Sequence, residues 1–310
     1  MELIRGLHNL RPEHRGCVAT IGNFDGVHLG HQAVIGQLAD EGRDYGVPSL
    51  VMTFEPQPLE YFQPNKAPAR LTRLREKLRQ LGRFAVDRVL VCEFDEKFAS
   101  LDAEDFVERI LVEGLGVRHL VVGDDFQFGK ARRGDFAMLQ QAGRRFGFDV
   151  VHMHTFNIDG ERVSSTRIRT ALAIGDLQTA EKLLGRPYRM CGRVAHGDKI
   201  GRTLGIPTAN IHLHRNMSPV QGIYVVEVFG VRGEPVQGVA SVGTRPTVGG
   251  TRALLEIHLF DFNEQIYGQY LNIDFLHKLR DEEKFDSLDE MKLRIFQDID
   301  EARTWFANRT

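Results

Sequence analysis

The sequence predicts two domains of different class: an α/β domain built on a parallel sheet, then an all-β domain that ends in a helix. Three observations predict it. Up to about residue 185, short runs rich in β-branched and aromatic residues alternate with amphipathic segments. After Gly185-Arg186-Pro187-Tyr188 the alternation stops, and strand-like runs follow one another across Gly- and Pro-containing turns. One long helical pattern closes the chain. The domains are therefore expected over residues 1–185 and 186–310.

In the first domain the runs CVATI, SLVMTF, RVLVCEF, HLVVG and VVHMHTF are the expected strands. Between them, helices are expected over Leu29 to Tyr45 before Gly46, Thr72 to Leu81 before Gly82, and Asp102 to Val112 before Gly114. Strand and helix in alternation imply crossover connections and a parallel sheet with helices on both faces. In the second domain GRV, GIYVVEVFG, VQGVASVG, LLEIHLF and YLNIDFLHK read as strands of an antiparallel barrel or sandwich. The closing helix starts at a capping box, Ser287 and Glu290, and carries Leu288, Met291, Ile295, Ile299, Ala302 and Phe306 on one face.

Composition bounds the function. With 42% hydrophobic and 26% charged residues the chain is expected to fold throughout. A formal net charge of −2, with both signs interspersed, argues against an extended nucleic-acid face. Cys17, Cys92 and Cys191 lie far apart without zinc spacing, and read as buried apolar residues of a reducing compartment. The first residues, MELIRGLHNLRPEHRG, show no secretory or transit pattern, and no apolar run reaches membrane-spanning length. A cytoplasmic protein, monomeric or weakly self-associating and acting on small molecules, is expected.

The first candidate site follows CVATI. The segment GNFDGVHLGH, Gly22 to His31, joins that strand to a helix. Gly22, Gly26 and Gly30 permit close backbone approach, and the helix start offers free N–H groups to an anion. His28 and His31, three apart, share a helix face, so two imidazole donors over one phosphate would stabilise the charge that develops as pyrophosphate leaves. An isolated H-x-x-H is usually incidental; the strand, glycines and helix around this one favour the phosphate reading. No acidic or Cys partner stands at metal-ligand spacing. Further along, SSTRIR, Ser164 to Arg169, enters another helix: its hydroxyls suit a cap or a phosphate, and Arg167 and Arg169 suit developing charge. Between the two, Asp124, Asp125, Phe126 and Phe128 in VGDDFQFGKARRGD suit a pocket rim whose aromatics stack on a flat ring system. His152 and His154 share a strand face without a third ligand and read as structural or solvent-facing.

GNFDGVHLGH, TFEPQP, GDDFQFGKARRGD and SSTRIR together resemble the adenylyltransferase module of bacterial bifunctional riboflavin kinase/FAD synthetases. The resemblance implies a Rossmann-like nucleotidyltransferase fold that moves AMP from ATP to FMN and releases pyrophosphate. It implies His28, His31 and Arg167 as catalytic residues, and Gly22, Asn23, Phe24, Asp25, Gly26, Ser164, Thr166 and Arg169 around ATP. Asp125, Phe126 and Phe128 fall on the flavin side. Many members carry His in T-F-x-P-H-P where this chain has Gln57; a neutral amide carries no charge, and Gln57 is assigned no catalytic role.

The second candidate site begins in GRVAHGDKIGRTLGIPTANI, Gly192 to Ile211. Gly197, Gly201 and Gly205 form a loop that can bring backbone N–H groups to phosphates, although the loop does not match G-x-x-x-x-G-K-[ST]. Thr208 and Asn210 leave one face of an extended segment, and their oxygens suit Mg²⁺. In LLEIHLFDF, Glu256 falls on the face opposite Leu255 and Ile257, where it is either a solvent carboxylate or a base aimed at an attacking hydroxyl. HGDKIGRTLGIPTANI, GIYVV, VGTRPTV, LLEIHLFDF and LRDEEKF look like the riboflavin kinase module of the same family. That resemblance implies a six-stranded β-barrel with a C-terminal helix, phosphorylating riboflavin with Mg·ATP. It makes Glu256 the catalytic base, Thr208 and Asn210 the metal and ATP ligands, and places Arg280 and Phe285 where the family closes over flavin and nucleotide. One departure is Val248, which stands where many members carry Phe in the pocket wall. Competing readings are an adenylyltransferase fused to a passive ligand-binding domain, an RNA-binding aminoacyl-transfer enzyme, and a flavin-binding protein without catalysis. The second would need a basic extension and a Lys-rich second signature, and this chain has SSTRIR instead.

Overall fold

The structure is a computed structural model describing the chain except Asp124, His154, residues 198–204, His214, Asn216, Val248, Gly249 and Thr310; of the side chains at 244–247 and 250–252 nothing is stated. It divides into two compact units: Met1–Pro68 with Thr72–Val163, and Ala69–Leu71 with Ser164–Thr310.

The first unit is a parallel six-stranded sheet in the order β1-β4-β3-β2-β5-β6, formed by β1 (Glu2–Arg5), β2 (Cys17–Ile21), β3 (Ser49–Glu55), β4 (Arg88–Glu93), β5 (Val117–Val122) and β6 (Asp149–His152). Every residue of β2 is buried, as befits a strand covered on both faces. Cys17, Ala19 and Ile21 pack with Phe106, Val107, Ile110 and Leu111 on one side, and Val18 packs with Val34, Ile35 and Leu38 on the other. The helices are α1 (Leu29–Tyr45), α2 (Pro58–Phe62), α3 (Leu74–Leu81), α4 (Glu96–Ala99), α5 (Ala103–Asp105, continuing as a wider-wound helix over Phe106–Gly114) and α6 (Phe136–Phe146). Gly46, at φ 64°, closes α1 in the left-handed conformation that glycine adopts without penalty. The three cysteines are buried and none forms a disulfide, and burial pushes the Cys17 and Cys92 thiols up to about 12.

Helices α2, α4 and α6 are not among those expected from the sequence, and neither are two strand elements of this unit. The strand β1, four residues long, is too short to show a period, yet pairs with β4 along its length. A small hairpin, β7 (Asn157–Ile158) and β8 (Glu161–Arg162), turns on Asp159 and Gly160 at φ 56° and 77°, the positive pair that an Asp-Gly turn supplies.

In the second unit, α7 (Ser165–Ile174) and α8 (Leu177–Leu184) precede a closed antiparallel barrel of order β10-β13-β12-β11-β14-β9. Its strands are β9 (Tyr188–Ala195), β10 (Ala209–His212), β11 (Gly222–Phe229), β12 (Val236–Thr247), β13 (Gly250–Leu259) and β14 (Tyr270–Arg280). The barrel expectation therefore holds over the sandwich. Alternate residues such as Tyr224, Val226, Val242, Leu255, Ile257 and Phe275 are buried almost completely and fill it. The closing helix α9 (Leu288–Ala307) lies on the outside, where Ile299, Ala302 and Phe306 pack with Val225, Val239 and Phe260. The expected stripe is buried only in its C-terminal half; Leu288 is 64% exposed, because the helix meets the barrel after its first turns. Ser287 caps it by accepting from the Glu290 N–H at 3.2 Å, while the Glu290 carboxylate accepts from Asp286 rather than closing the box on Ser287.

Candidate active sites

In an open parallel sheet, ligands bind beyond the carboxyl ends of the strands where the strand order reverses. Here that point is β2, which has β3 on one side and β5 on the other. The loops leaving these three strands carry GNFDGVHLGH, FEPQP and GDDFQF respectively. The fold thus collects three separated motifs at one end of one sheet.

The turn after β2 is tightly wound: Phe24, Gly26 and Val27 have φ of 47°, 86° and 43°. Non-glycine residues adopt such values only where the surroundings hold them. Those surroundings are visible. Thr72 accepts from the Gly26 N–H at 2.9 Å, and its own N–H and hydroxyl donate to Asp25 Oδ1 at 2.9 and 3.1 Å. Asp25, expected to line the nucleotide site, is 2% exposed, and Phe24 is a core residue at 3%.

His28 caps α1: its Nδ1 accepts from the His31 N–H at 3.3 Å, which leaves Nε2 as the protonated, donating nitrogen of the neutral ring. The His28 and His31 rings stack with centroids 3.6 Å apart, so the pair presents a single face. A Cβ at Gly30 would stand 3.2 Å from the His28 ring. His31 Nδ1 is buried without a hydrogen-bond partner among the described residues. Desolvation, then the charges of His28, Lys77 and Arg162, hold the His31 imidazole well below 6.5, so it is neutral at physiological pH.

On the other rim Asp125 is exposed and ion-paired with Arg162 at 3.6 Å. Phe126 and Phe128 stack at 5.7 Å, and Phe128 is the buried member. Sequence reading missed what stands beyond them. Phe128 touches Phe106, Phe106 touches Phe98, Phe98 touches Phe94, and Phe94 meets Tyr61 and Phe62 at 5.7 and 5.6 Å. Phe62 ends this aromatic chain with 60% of its surface exposed. Gln57 is buried, with Nε2 lacking a partner among the described residues, and its backbone N–H donates to Glu60. Asp124 lies outside the described residues, as does His154.

The segment SSTRIR belongs by contact to the second unit. Ser164 caps α7, accepting from the Arg167 N–H at 3.2 Å, and Arg169 donates to the Ala69 carbonyl at 2.7 Å. Thr166 is exposed at the start of α7, and its carbonyl accepts from Thr170.

The barrel assembles the second constellation by register. Asn210 on β10 stands directly opposite Glu256 on β13, which stands opposite Ser241 on β12. Ser241 pairs with Ile223 on β11, and Ile223 with Arg280 on β14. Directly opposed residues point to one side, so Asn210, Glu256 and Ser241 form a tier facing away from the buried Ile211, Leu255 and Val242. Gly197 lies against this tier: a Cβ there would stand 2.5–2.7 Å from the Asn210 amide atoms. His258, two residues along the same face, donates from Nδ1 to the Pro207 carbonyl at 2.9 Å and fixes the run that brings in Thr208. Gly205 sits at φ 78° ahead of it, and Gly201 and Val248 lie outside the described residues.

Arg280 is held by Asp298 of α9 through two hydrogen bonds of 2.8 and 2.7 Å, with the Phe285 ring 5.9 Å from its guanidinium carbon. In this arrangement it ties helix to barrel. Sequence reading also missed Glu282, whose carboxylate fills the space a side chain at Gly243 would need. Partial desolvation pushes the Glu282 carboxyl up; Arg280 pulls it down, and the charge of Glu256 pushes it up again.

Comparison with known proteins finds a family for each half of the chain. The family described as FAD synthetase matches residues 10–167, and the riboflavin kinase family matches residues 184–306. Bifunctional riboflavin kinase/FMN adenylyltransferases of Pseudomonas fluorescens and Escherichia coli (strain K12) are 54% and 53% identical. The matches span 98% of this chain and 97% of the first, and 99% and 98% for the second. A solved structure described as a macrolide-efflux protein from Streptococcus pneumoniae has a TM-score of 0.82 at 32% identity, covering 98% of this chain and 100% of that one. Among the described residues no helix is long and apolar enough to cross a membrane. The chain belongs to the bifunctional riboflavin kinase/FMN adenylyltransferase family.

Proposed function

We propose that the barrel phosphorylates riboflavin to FMN and that the first unit, with SSTRIR, adenylylates FMN to FAD, over domains meeting near residue 185. In the first step Glu256 takes the proton of the ribityl 5′-hydroxyl, the hydroxyl oxygen bonds to the γ-phosphorus of ATP, and ADP leaves. In the second, an FMN phosphate oxygen bonds to the α-phosphorus of ATP and pyrophosphate leaves. His28 and His31, with Arg167 and Arg169, receive the charge that develops on the phosphates. The aromatic chain ending at Phe62 extends the flavin side beyond Asp125, Phe126 and Phe128. The Thr208 hydroxyl and Asn210 amide are hard oxygen donors, fit for a Mg²⁺ held chiefly by ATP phosphates; bound there, the ion would neutralise phosphate charge. The same reading has the protein working in the cytoplasm on small molecules, without nucleic acid, as a monomer or weak homo-oligomer.

The observation that carries this reading is the placing of Glu256 directly across from Asn210, with Gly197 against the amide. The test is purified protein incubated with riboflavin and Mg·ATP, with FMN, FAD and pyrophosphate measured. Both flavins should form. Glu256→Gln should stop FMN formation yet still convert added FMN, and His28→Ala with His31→Ala should accumulate FMN. Absence of both products from the unaltered chain overturns the reading.

A further inference from the structure

The sequence LREKLRQL of α3 contains an anomaly. Leu74, Leu78 and Leu81 form its core-facing stripe, and Lys77, three residues from Leu74 and four from Leu81, falls in the middle of it. Lys77 is 0% exposed, among the largest fully buried side chains of the protein. Burying an ammonium is costly where a Met of similar length would pack without penalty. Its Nζ donates to Thr53 Oγ1 at 3.2 Å, and the Thr53 hydroxyl donates in turn to the Asn23 carbonyl at 3.3 Å. Asn23 belongs to the wound turn that leads into the histidine pair. Two residues ahead of the same helix Thr72 grips Asp25 and Gly26. One short helix and its lead-in therefore hold the turn at two points, and one of the two is a buried lysine.

We infer that Lys77 is a positioning residue for adenylyl transfer: through Thr53 it fixes the Asn23 carbonyl of the phosphate turn, and it contributes a positive charge that acts on His31. The inference rests on the reading of this unit as the adenylyl-transfer site. Three charged or titratable groups act on His31: His28 on its own helix, Lys77 on α3 and Arg162 on β8. All three disfavour its protonation. Removing the Lys77 charge makes the His31 ring easier to protonate, whereas removing the Thr53 hydroxyl leaves that charge in place.

The experiment compares Lys77→Met, Thr53→Val and His31→Ala in the full chain. FMN adenylylation is followed against pH, and riboflavin phosphorylation by the same molecules serves as the control. Lys77→Met should lower the kcat of adenylylation by about ten- to a hundredfold and move its acid-side inflection to higher pH. Thr53→Val should lower kcat and leave the inflection where it was. Riboflavin phosphorylation should be unchanged in both. A folded Lys77→Met with unaltered kcat and pH profile, beside an inactive His31→Ala, overturns the role of Lys77. Should Lys77→Met not fold, unaltered kcat in Thr53→Val overturns it equally. Full activity in His31→Ala would instead remove the histidine-pair reading beneath it.

Discussion

Replacing Gly197 by alanine should disable one activity and spare the other. The new Cβ would stand 2.5, 2.6 and 2.7 Å from Nδ2, Cγ and Oδ1 of Asn210, whereas ordinary contact begins at 3.4 Å. The amide must therefore retreat by at least about 0.9 Å, the difference between 3.4 and 2.5 Å. The backbone of Asn210 cannot follow, because it is paired on both sides, with Ala195 and with Glu256. Gly197 itself is not in the left-handed region, so the substitution adds no backbone strain. A displacement of about 1 Å in a positioning group costs on the order of a hundredfold in rate, about 2.7 kcal/mol of barrier. Gly197→Ala should lower riboflavin phosphorylation by that factor and raise the Mg²⁺ concentration needed for half-maximal rate. FMN adenylylation, assayed on added FMN, should be unaffected. A Gly197→Ala protein with unaltered kinase rate and Mg²⁺ dependence would refute the placement of Asn210 at the reaction.

Three other outcomes follow from the same geometry. Asp298→Ala leaves the buried Arg280 guanidinium without its two acceptors, and should destabilise the second unit by about 3–5 kcal/mol in urea unfolding; a loss below about 1 kcal/mol would show the pair to be dispensable. Phe62→Ala should raise the KM for FMN in adenylylation with no change in thermal stability, since Phe62 is 60% exposed and has little packing to lose; an unchanged KM would remove it from the flavin side. Because the folded state holds His31 below its ordinary 6.5, the unfolded chain binds the proton more readily, and stability should fall as pH drops below that value. The slope from this group is at most about 1.4 kcal/mol per pH unit. It should vanish in His31→Gln, and an identical slope in that variant would refute the assignment.

How much of this was legible in the sequence depends on the distance over which each feature is specified. The strand CVATI, the helix after it and the left-handed stop at Gly46 are written in adjacent residues, and the structure keeps them. A helix is expected from Thr72; the Thr72 hydroxyl serves Asp25 and Gly26, and the helix begins two residues later. The pairing of Asn210 with Glu256 comes from the closure of a barrel and is invisible to local periodicity. The aromatic chain from Phe62 to Phe128 is scattered over four segments that only the fold brings together. Two signals were present and unread: the Asp-Gly dipeptide that makes the small hairpin, and a lysine in the apolar stripe of α3.

The two constellations differ in charge as the two reactions require. Expelling pyrophosphate leaves new negative charge on phosphate oxygens and needs no strong base, since the attacking FMN phosphate is already an anion. The first unit supplies His31, held neutral with Lys77 and Arg162 acting on it, and its neighbour His28, side chains that can donate hydrogen bonds without adding negative charge. Phosphorylating a hydroxyl needs the opposite, a group that accepts a proton, and the barrel tier carries the carboxylate of Glu256. A lysine in place of Glu256 could not take the hydroxyl proton at neutral pH. One chemistry asks for a proton acceptor at a hydroxyl and the other for hydrogen-bond donors at phosphates, which is a physical reason for a chain making FMN and then FAD to keep two separate nucleotide sites.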